Sequence, residues 1–285
     1  MVISKRYTEL KIKLNNKNSD SIYNLLYFHN INNLLEENTC LKSYLPEDKT
    51  KKFLQIKKAL ISKSLVNSND VSIKPFLNKD WTFEWKKTIR PVFIKDKIII
   101  YPSWLKKDIK KFEDRVLINI DPKMSFGTGH NATTQLVLEL MCRYITSGDK
   151  KLLDFGSGTG VLAVAGIKLG MNKAVEIDID EDSVRDSKEY LEKNSVSDKI
   201  KIYNKNISEI KENNFDVICA NIIRTVIEEN IVVIYKKLSP GGKLFLSGIL
   251  KEEENSIRRC LKKNSFHIFD IIYKAEWIGI YARSI

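Results

Sequence analysis

The sequence is poor in the residues that staple small proteins or hold metals. It has 4 cysteines and 3 histidines in 285 residues. Cys40, Cys142, Cys219 and Cys260 include no C-x-x-C pair, and the chain is too long to be a disulfide scaffold. Reduced, mostly buried thiols are expected. His29, His130 and His267 are scattered and suggest no metal constellation. No apolar run approaches the ~20 residues that a membrane span needs. The opening MVISKRYTEL contains neither a signal-peptide apolar region nor a small-residue cleavage site. A cytoplasmic protein is therefore expected, without metal or membrane. Internal repeats, low-complexity stretches and long Lys/Arg blocks are also absent.

What is present suits a globular protein of one ordinary domain plus a smaller companion. Apolar residues make up 43% and charged residues 29%, enough to bury a core and keep a solvated surface. The net charge is +12. The lysines are dispersed, so the excess is read first as a solvated surface and second as a surface for an acidic partner.

Patterning divides the chain. Within residues 1–75 the order is strand (7–14), helix (20–29), weak strand (39–44), amphipathic helix (49–66) and short strand, which predicts a small α+β domain of ferredoxin-like layout. Residues 76–118, with Trp81, Trp85 and the strand-like KDKIIIYPSW, are expected to be a linker packed on the next domain. Residues 119–285 alternate strands and helices after a Gly/Thr-rich loop, with Thr133 or Thr134 near the N-cap of the first helix. Repeated β-α units predict a mostly parallel sheet covered on both faces, closed by an antiparallel hairpin at the C-terminus.

The sharpest local signal is DFGSGTG at residues 154–160, between an apolar strand and an apolar helix. Glycine lets backbone approach a ligand closely, and a helix N-terminus offers unpaired N–H groups to an anion. The dinucleotide fingerprint G-x-G-x-x-G fails, because Val161 stands where its third glycine belongs. G-x-G-x-G is the pattern of class I methyltransferases, so Gly156 and Gly158 are expected at S-adenosylmethionine. The next strand ends at Asp178, whose two oxygens can accept both ribose hydroxyls. Asp180 fits a helix cap better. The strand FDVICAN brings Asn221 to the same sheet edge. An ammonium has no lone pair, and burial beside a sulfonium favours the neutral amine. The Asn221 oxygen could then accept its N–H and aim its lone pair, with rate coming from in-line positioning.

FGTGHNATT at 126–134, LDFGSGTGVLA at 153–163, Ala220-Asn221-Ile222-Ile223 and LSGIL at 246–250 together resemble the bacterial methyltransferases of ribosomal protein L-eleven (L11), the PrmA family. Asp80-Trp81, Trp85, Tyr101-Pro102-Ser103-Trp104 and Glu276-Trp277 also look like it. The likeness covers residues 80–285 well and the first eighty only in layout and in Ser43-Tyr44-Leu45-Pro46-Glu47. It implies a Rossmann-like class I methyltransferase domain behind a recognition domain that grips L11, free or on the large subunit, through a mobile linker. It implies methylation of lysine side chains and of an N-terminal amine. It carries cofactor contacts onto Thr134, Gly156, Asp178 and Asn221, and aromatics bordering methyl transfer onto Phe126 and Trp277. A monomer that needs no nucleic acid is expected. The sequence departs from the family pattern F-G-T-G-x-H-x-T-T at His130 and Asn131, at Lys123 where Gly is usual, and at Ile223 where Leu is usual.

Rival readings are a methyltransferase of another protein or of RNA, a non-catalytic S-adenosylmethionine-binding homologue, and a nicotinamide dehydrogenase. Within the first, a nucleic-acid base as substrate is weakened by Asn221-Ile222-Ile223-Arg224, which has no aromatic to stack a flipped base. Intact Gly156, Gly158, Gly160, Asp178 and Asn221 weaken the second, and glycine spacing the third.

Overall fold

The computed structural model describes residues 6–14, 18–29, 31, 33–37, 39–77, 89–121 and 128–285. Chain contacts divide it between Ile89 and Arg90 into two units.

The smaller unit runs β1 (Arg6–Lys13), α1 (Ser19–Phe28), β2 (Leu35–Glu37), β3 (Cys40–Pro46), α2 (Thr50–Ser62) and β4 (Val71–Leu77). Its sheet order is β2-β3-β1-β4, with every neighbouring pair antiparallel. This is the split β-α-β layout expected from the sequence. The sequence reading missed β2, because three residues are too few to show period-2 alternation. Leu10, Ile12 and Leu41 form the core with Ile22 and Leu26 of α1 and Phe53, Ile56 and Leu60 of α2.

The larger unit begins with β5 (Val92–Ile94), β6 (Ile98–Tyr101), a single helical turn α3 (Lys106–Ile109) and β7 (Val116–Asn119). These form a separate three-stranded sheet, β5-β6-β7. Part of the stretch expected as linker is thus a folded layer of this unit. The cause is its run of isoleucines. Ile98 and Ile100 enter the main core, while Ile99 packs with Tyr101 and Ile109 on the opposite face. Trp81 and Trp85 lie outside the described residues.

The chain continues through α4 (Ala132–Tyr144), β8 (Lys151–Phe155), α5 (Val161–Lys168), β9 (Lys173–Asp178), α6 (Glu181–Lys193), β10 (Ile200–Asn204), β11 (Phe215–Asn221), α7 (Arg224–Lys237), β12 (Leu238–Leu250), α8 (Glu254–Lys263), β13 (Phe266–Lys274) and β14 (Trp277–Ser284). The main sheet has the order β10-β9-β8-β11-β12-β14-β13. From β10 to β12 all neighbours are parallel, and β14 runs antiparallel to both β12 and β13. The expected turn at residues 239–242 lies inside the long strand β12.

Period-2 side-chain alternation supplies two cores. In β11, Val217 and Cys219 face the layer of α4, α5 and α6, while Ile218 and Ala220 face α7 and α8, joined there by Phe215 across an irregular register between Phe215 and Val217. Strands buried on both faces read as unbroken apolar runs, as FDVICAN does. Strand order reverses between β8 and β11, so their carboxyl ends diverge into a crevice.

Phe245 of β12 is fully buried and stacks on Tyr281 at 5.2 Å, which stacks on Tyr144 at 4.2 Å. Phe245→Ala should cost about 3–5 kcal/mol of stability by urea denaturation. A loss below about 1 kcal/mol would show that this column does not anchor the sheet.

Candidate active site

A cleft of about 850 Å³ opens at the crevice. Phe155 at the end of β8, Asp178 at the end of β9 and Asn221 at the end of β11 all line it. Gly156, Gly158 and Trp277 complete the set of sequence-predicted residues on its wall. Phe126, the remaining aromatic expected there, lies outside the described residues.

The turn from β8 into α5 passes through Gly156, Gly158 and Gly160 at φ +73°, +54° and +73°. Left-handed backbone favours glycine. A Cβ on Gly160 would stand 2.5 Å from both Glu176 Oε1 and Ser187 Oγ. The Gly156 and Ser157 amides both donate to the Ile177 carbonyl, at 2.9 and 3.1 Å, which ties the loop to the end of β9. Gly158 N–H donates to Asp178 Oδ2 at 2.8 Å, and Asp180 N–H donates to Asp178 Oδ1 at 3.0 Å. Each oxygen keeps a lone pair for a hydroxyl donor. Asp180 caps α6, accepting from Asp182 N–H and Ser183 Oγ, as the sequence suggested.

The α5 N-terminus differs from expectation. Ala163 N–H donates to the buried Asp154 carboxylate from beneath, at 3.2 Å, rather than to an external anion. Asp154 stands opposite Glu176 in the β8–β9 register, and both are fully buried. Ser187 donates to Glu176 Oε2, while Asp154 Oδ1 and Glu176 Oε1 have no hydrogen-bond partner. Burial, and then the nearby Asp178, raise the Glu176 carboxyl to about 7. Burial, and then Glu176, push Asp154 well above the usual carboxylate range.

Asn221 is 9% exposed. Its Nδ2 donates to Thr134 Oγ1 at 3.1 Å, and its Oδ1 has no partner. Thr134, expected at the methionine end of the cofactor, is instead fully buried and off the cleft wall, and its neighbour Thr133 lines the cleft with an unpartnered hydroxyl. Both threonines lie in the first turn of α4, whose N-cap is Asn131. His130, one of the departures, turns away and donates from Nε2 to the Arg90 carbonyl at 3.1 Å. Trp277 is half-buried beside the two-residue turn of the β13–β14 hairpin.

The sequence reading missed several lining residues: Thr133, Ile179, Asn206, Gly248 and Glu276. Ile179 carried a signal, since it is an isoleucine just beyond a strand end, and it is 78% exposed. Gly248 lies in the LSGIL segment that carried the family likeness, and Asn206 carried no signal, because long-range packing brings it to the cleft.

This geometry fits a nucleoside with a charged amino-acid tail. The glycine turn leaves room for close approach, Asp178 presents a fixed carboxylate, and the polar atoms of Thr133 and Asn221 await partners.

The family model for ribosomal protein L11 methyltransferase (PrmA) matches residues 9–284. The chain is 34% identical to the ribosomal protein L11 methyltransferase of Pelotomaculum thermopropionicum, over 85% of this chain and 79% of that one. It is 30% identical to that of Bacillus subtilis, over 94% and 87%. The crystal structure of ribosomal protein L11 methylase from Lactobacillus delbrueckii subsp. bulgaricus superposes with a TM-score of 0.63 at 27% identity, covering 69% of this chain and all of that one.

Glu176 and Asp154 bind protons more tightly in the folded chain than in the unfolded one. The stability that Glu176 contributes is therefore fully present below about pH 4.5 and is lost as pH rises through about 7. Glu176→Gln should remove much of this slope, so its melting temperature should gain on the wild type between pH 5 and pH 8. Parallel profiles for the two proteins would refute the buried-proton assignment.

With the sheet order, the glycine turn and the sequence match in agreement, the chain belongs to the ribosomal protein L11 methyltransferase family.

Proposed function

We propose that the protein transfers methyl groups from S-adenosylmethionine to lysine side chains, and to an N-terminal amine, of ribosomal protein L11. The observation that carries this reading is Asn221 Oδ1, a buried acceptor without a partner at the carboxyl end of β11.

Gly156 and Gly158 would accept the nucleoside along the loop backbone. Asp178 would take the ribose hydroxyls, Ile179 would cover the base, and Thr133 with Asn221 would meet the methionine end. The bound cofactor supplies an electrophilic methyl group on a sulfonium. Thr134 holds the Asn221 amide by its Nδ2, which would leave Oδ1 to accept an N–H of the incoming amine. A lysine amine arrives protonated, with a pKa of ~10.4. Ile222, Ile223, Val226 and Trp277 on the cleft wall desolvate it and favour loss of the proton to bulk water. Asn221 then aims the lone pair, and positioning supplies the rate. Trp277, together with Phe126, would border the transferred methyl.

Residues 1–75 would recognise L11, and the unit of residues 90–285 would carry catalysis. The protein would act in the cytoplasm as a monomer.

Incubation with labelled cofactor, purified L11 and ribosomal subunits, followed by mass spectrometry, tests this directly. Label should appear on L11 lysines. Label confined to RNA or to another protein would overturn the substrate, and cofactor binding without transfer would favour a non-catalytic homologue. Asn221→Ala should lower turnover about 10²-fold while cofactor affinity changes only a few-fold. Unchanged turnover would remove Asn221 from the mechanism.

A further inference from the structure

Two carboxylates line the cleft among the described residues, Asp178 and Glu276. Asp178 is held by two backbone amides. The Glu276 side chain makes no hydrogen bond or ion pair among the described residues; only its backbone is engaged, its carbonyl accepting from Lys251 N–H at 2.9 Å. Neighbouring lysines are turned to other partners. Lys274 Nζ donates to Gln135 Oε1 at 2.5 Å, and Lys251 Nζ lies 6.0 Å from the Tyr273 ring. The one cation on the described cleft wall, Lys205, follows β10 at the far side of the sheet. Glu276 is therefore the cleft carboxylate at the hairpin side that no side chain among the described residues holds.

The position of that charge is set by the sheet. Asn221 pairs with Ser247 of β12, whereas Glu276 meets Lys251, four residues farther along. Between them lies the irregular register of β12 from Leu246 to Ile249, and Lys251 itself follows the strand's end. Glu276 is exposed and stands on the cleft wall beyond the strand pairing that holds Asn221. It is held there by a rigid two-residue turn, with Ala275 at φ +49° before it and Trp277 in β14 after it. A rim charge of this kind acts on encounter and ground-state binding more than on chemistry.

We propose that Glu276 is the docking carboxylate for the acceptor, which it holds as an ammonium ion at the mouth and so selects cationic amines. The amine sheds its proton to bulk water as it descends past Trp277 to Asn221 Oδ1. Glu276 is a specificity determinant and takes no part in methyl transfer. The inference rests on the lysine-methylation reading above.

The test uses the full-length protein as wild type, Glu276→Gln, Glu276→Asp and Glu276→Lys, with purified L11 as acceptor. At low ionic strength Glu276→Gln should raise KM about threefold to fivefold and leave kcat within about twofold. Glu276→Lys should raise KM further, and Glu276→Asp should keep most of the wild-type value. Raising salt from roughly 20 mM to about 300 mM should narrow the gap between wild type and Glu276→Gln. A readout without turnover is L11 binding in the presence of S-adenosylhomocysteine, by calorimetry. L11 affinity should weaken in Glu276→Gln, while affinity for S-adenosylhomocysteine itself stays constant. Identical KM values, a deficit that salt does not change, or a fall in kcat at constant KM would each overturn the proposal. Failure of the wild type to label L11 would sink the lysine-methylation reading, and this inference with it.

Discussion

Between β8 and α5 the backbone passes through three glycines at positive φ, and the Gly158 amide donates to the Asp178 carboxylate at 2.8 Å. That hydrogen bond joins the ends of two adjacent strands. It fixes the loop and the carboxylate relative to each other, so backbone close enough for a ligand and an acceptor for its hydroxyls share one rigid edge. The floor beneath is equally determined. Glu176 and Ser187 fill the space a side chain at residue 160 would need, and Asp154 satisfies the first turn of α5 from below. Burying two facing carboxylates is costly. Their upward-shifted proton affinities offset part of that cost.

The second half of the site is made by α4 and β11. Thr134 and Asn221 are 87 residues apart in sequence and bonded at 3.1 Å. The bond orients the amide and leaves its oxygen buried and unsatisfied. A buried acceptor without a partner costs free energy unless a ligand supplies the missing donor. The structure therefore holds in reserve an interaction that an amine can complete. In the proposed mechanism Glu276 and Asn221 would divide the work on that amine, charge recognition at the rim and orientation within.

Much of this was legible in the sequence because it is local. Gly156, Gly158 and Gly160 announce a turn that only glycine adopts easily, and Asp178 and Asn221 sit at the ends of apolar runs whose length marks buried parallel strands. Asp180 as a helix cap followed from its place before an acidic first turn. What stayed hidden depends on packing between distant segments. Thr133 and Thr134 are indistinguishable in sequence, and the α4 register alone turns one to the cleft and the other to Asn221. The strands of residues 92–119 looked like a linker because their core partners lie in α4 and α5. Nothing near Asp154 or Glu176 in the sequence signals that the two face each other; their pairing appears only with the β8–β9 register.

The most direct measurement of the central claim is a crystal structure of the protein with S-adenosylhomocysteine. The expected density lies at the carboxyl ends of β8 and β9, with the ribose on Asp178 and the amino-acid tail reaching toward Thr133 and Asn221. Density elsewhere, or side chains closing the cleft against the nucleoside, would contradict it.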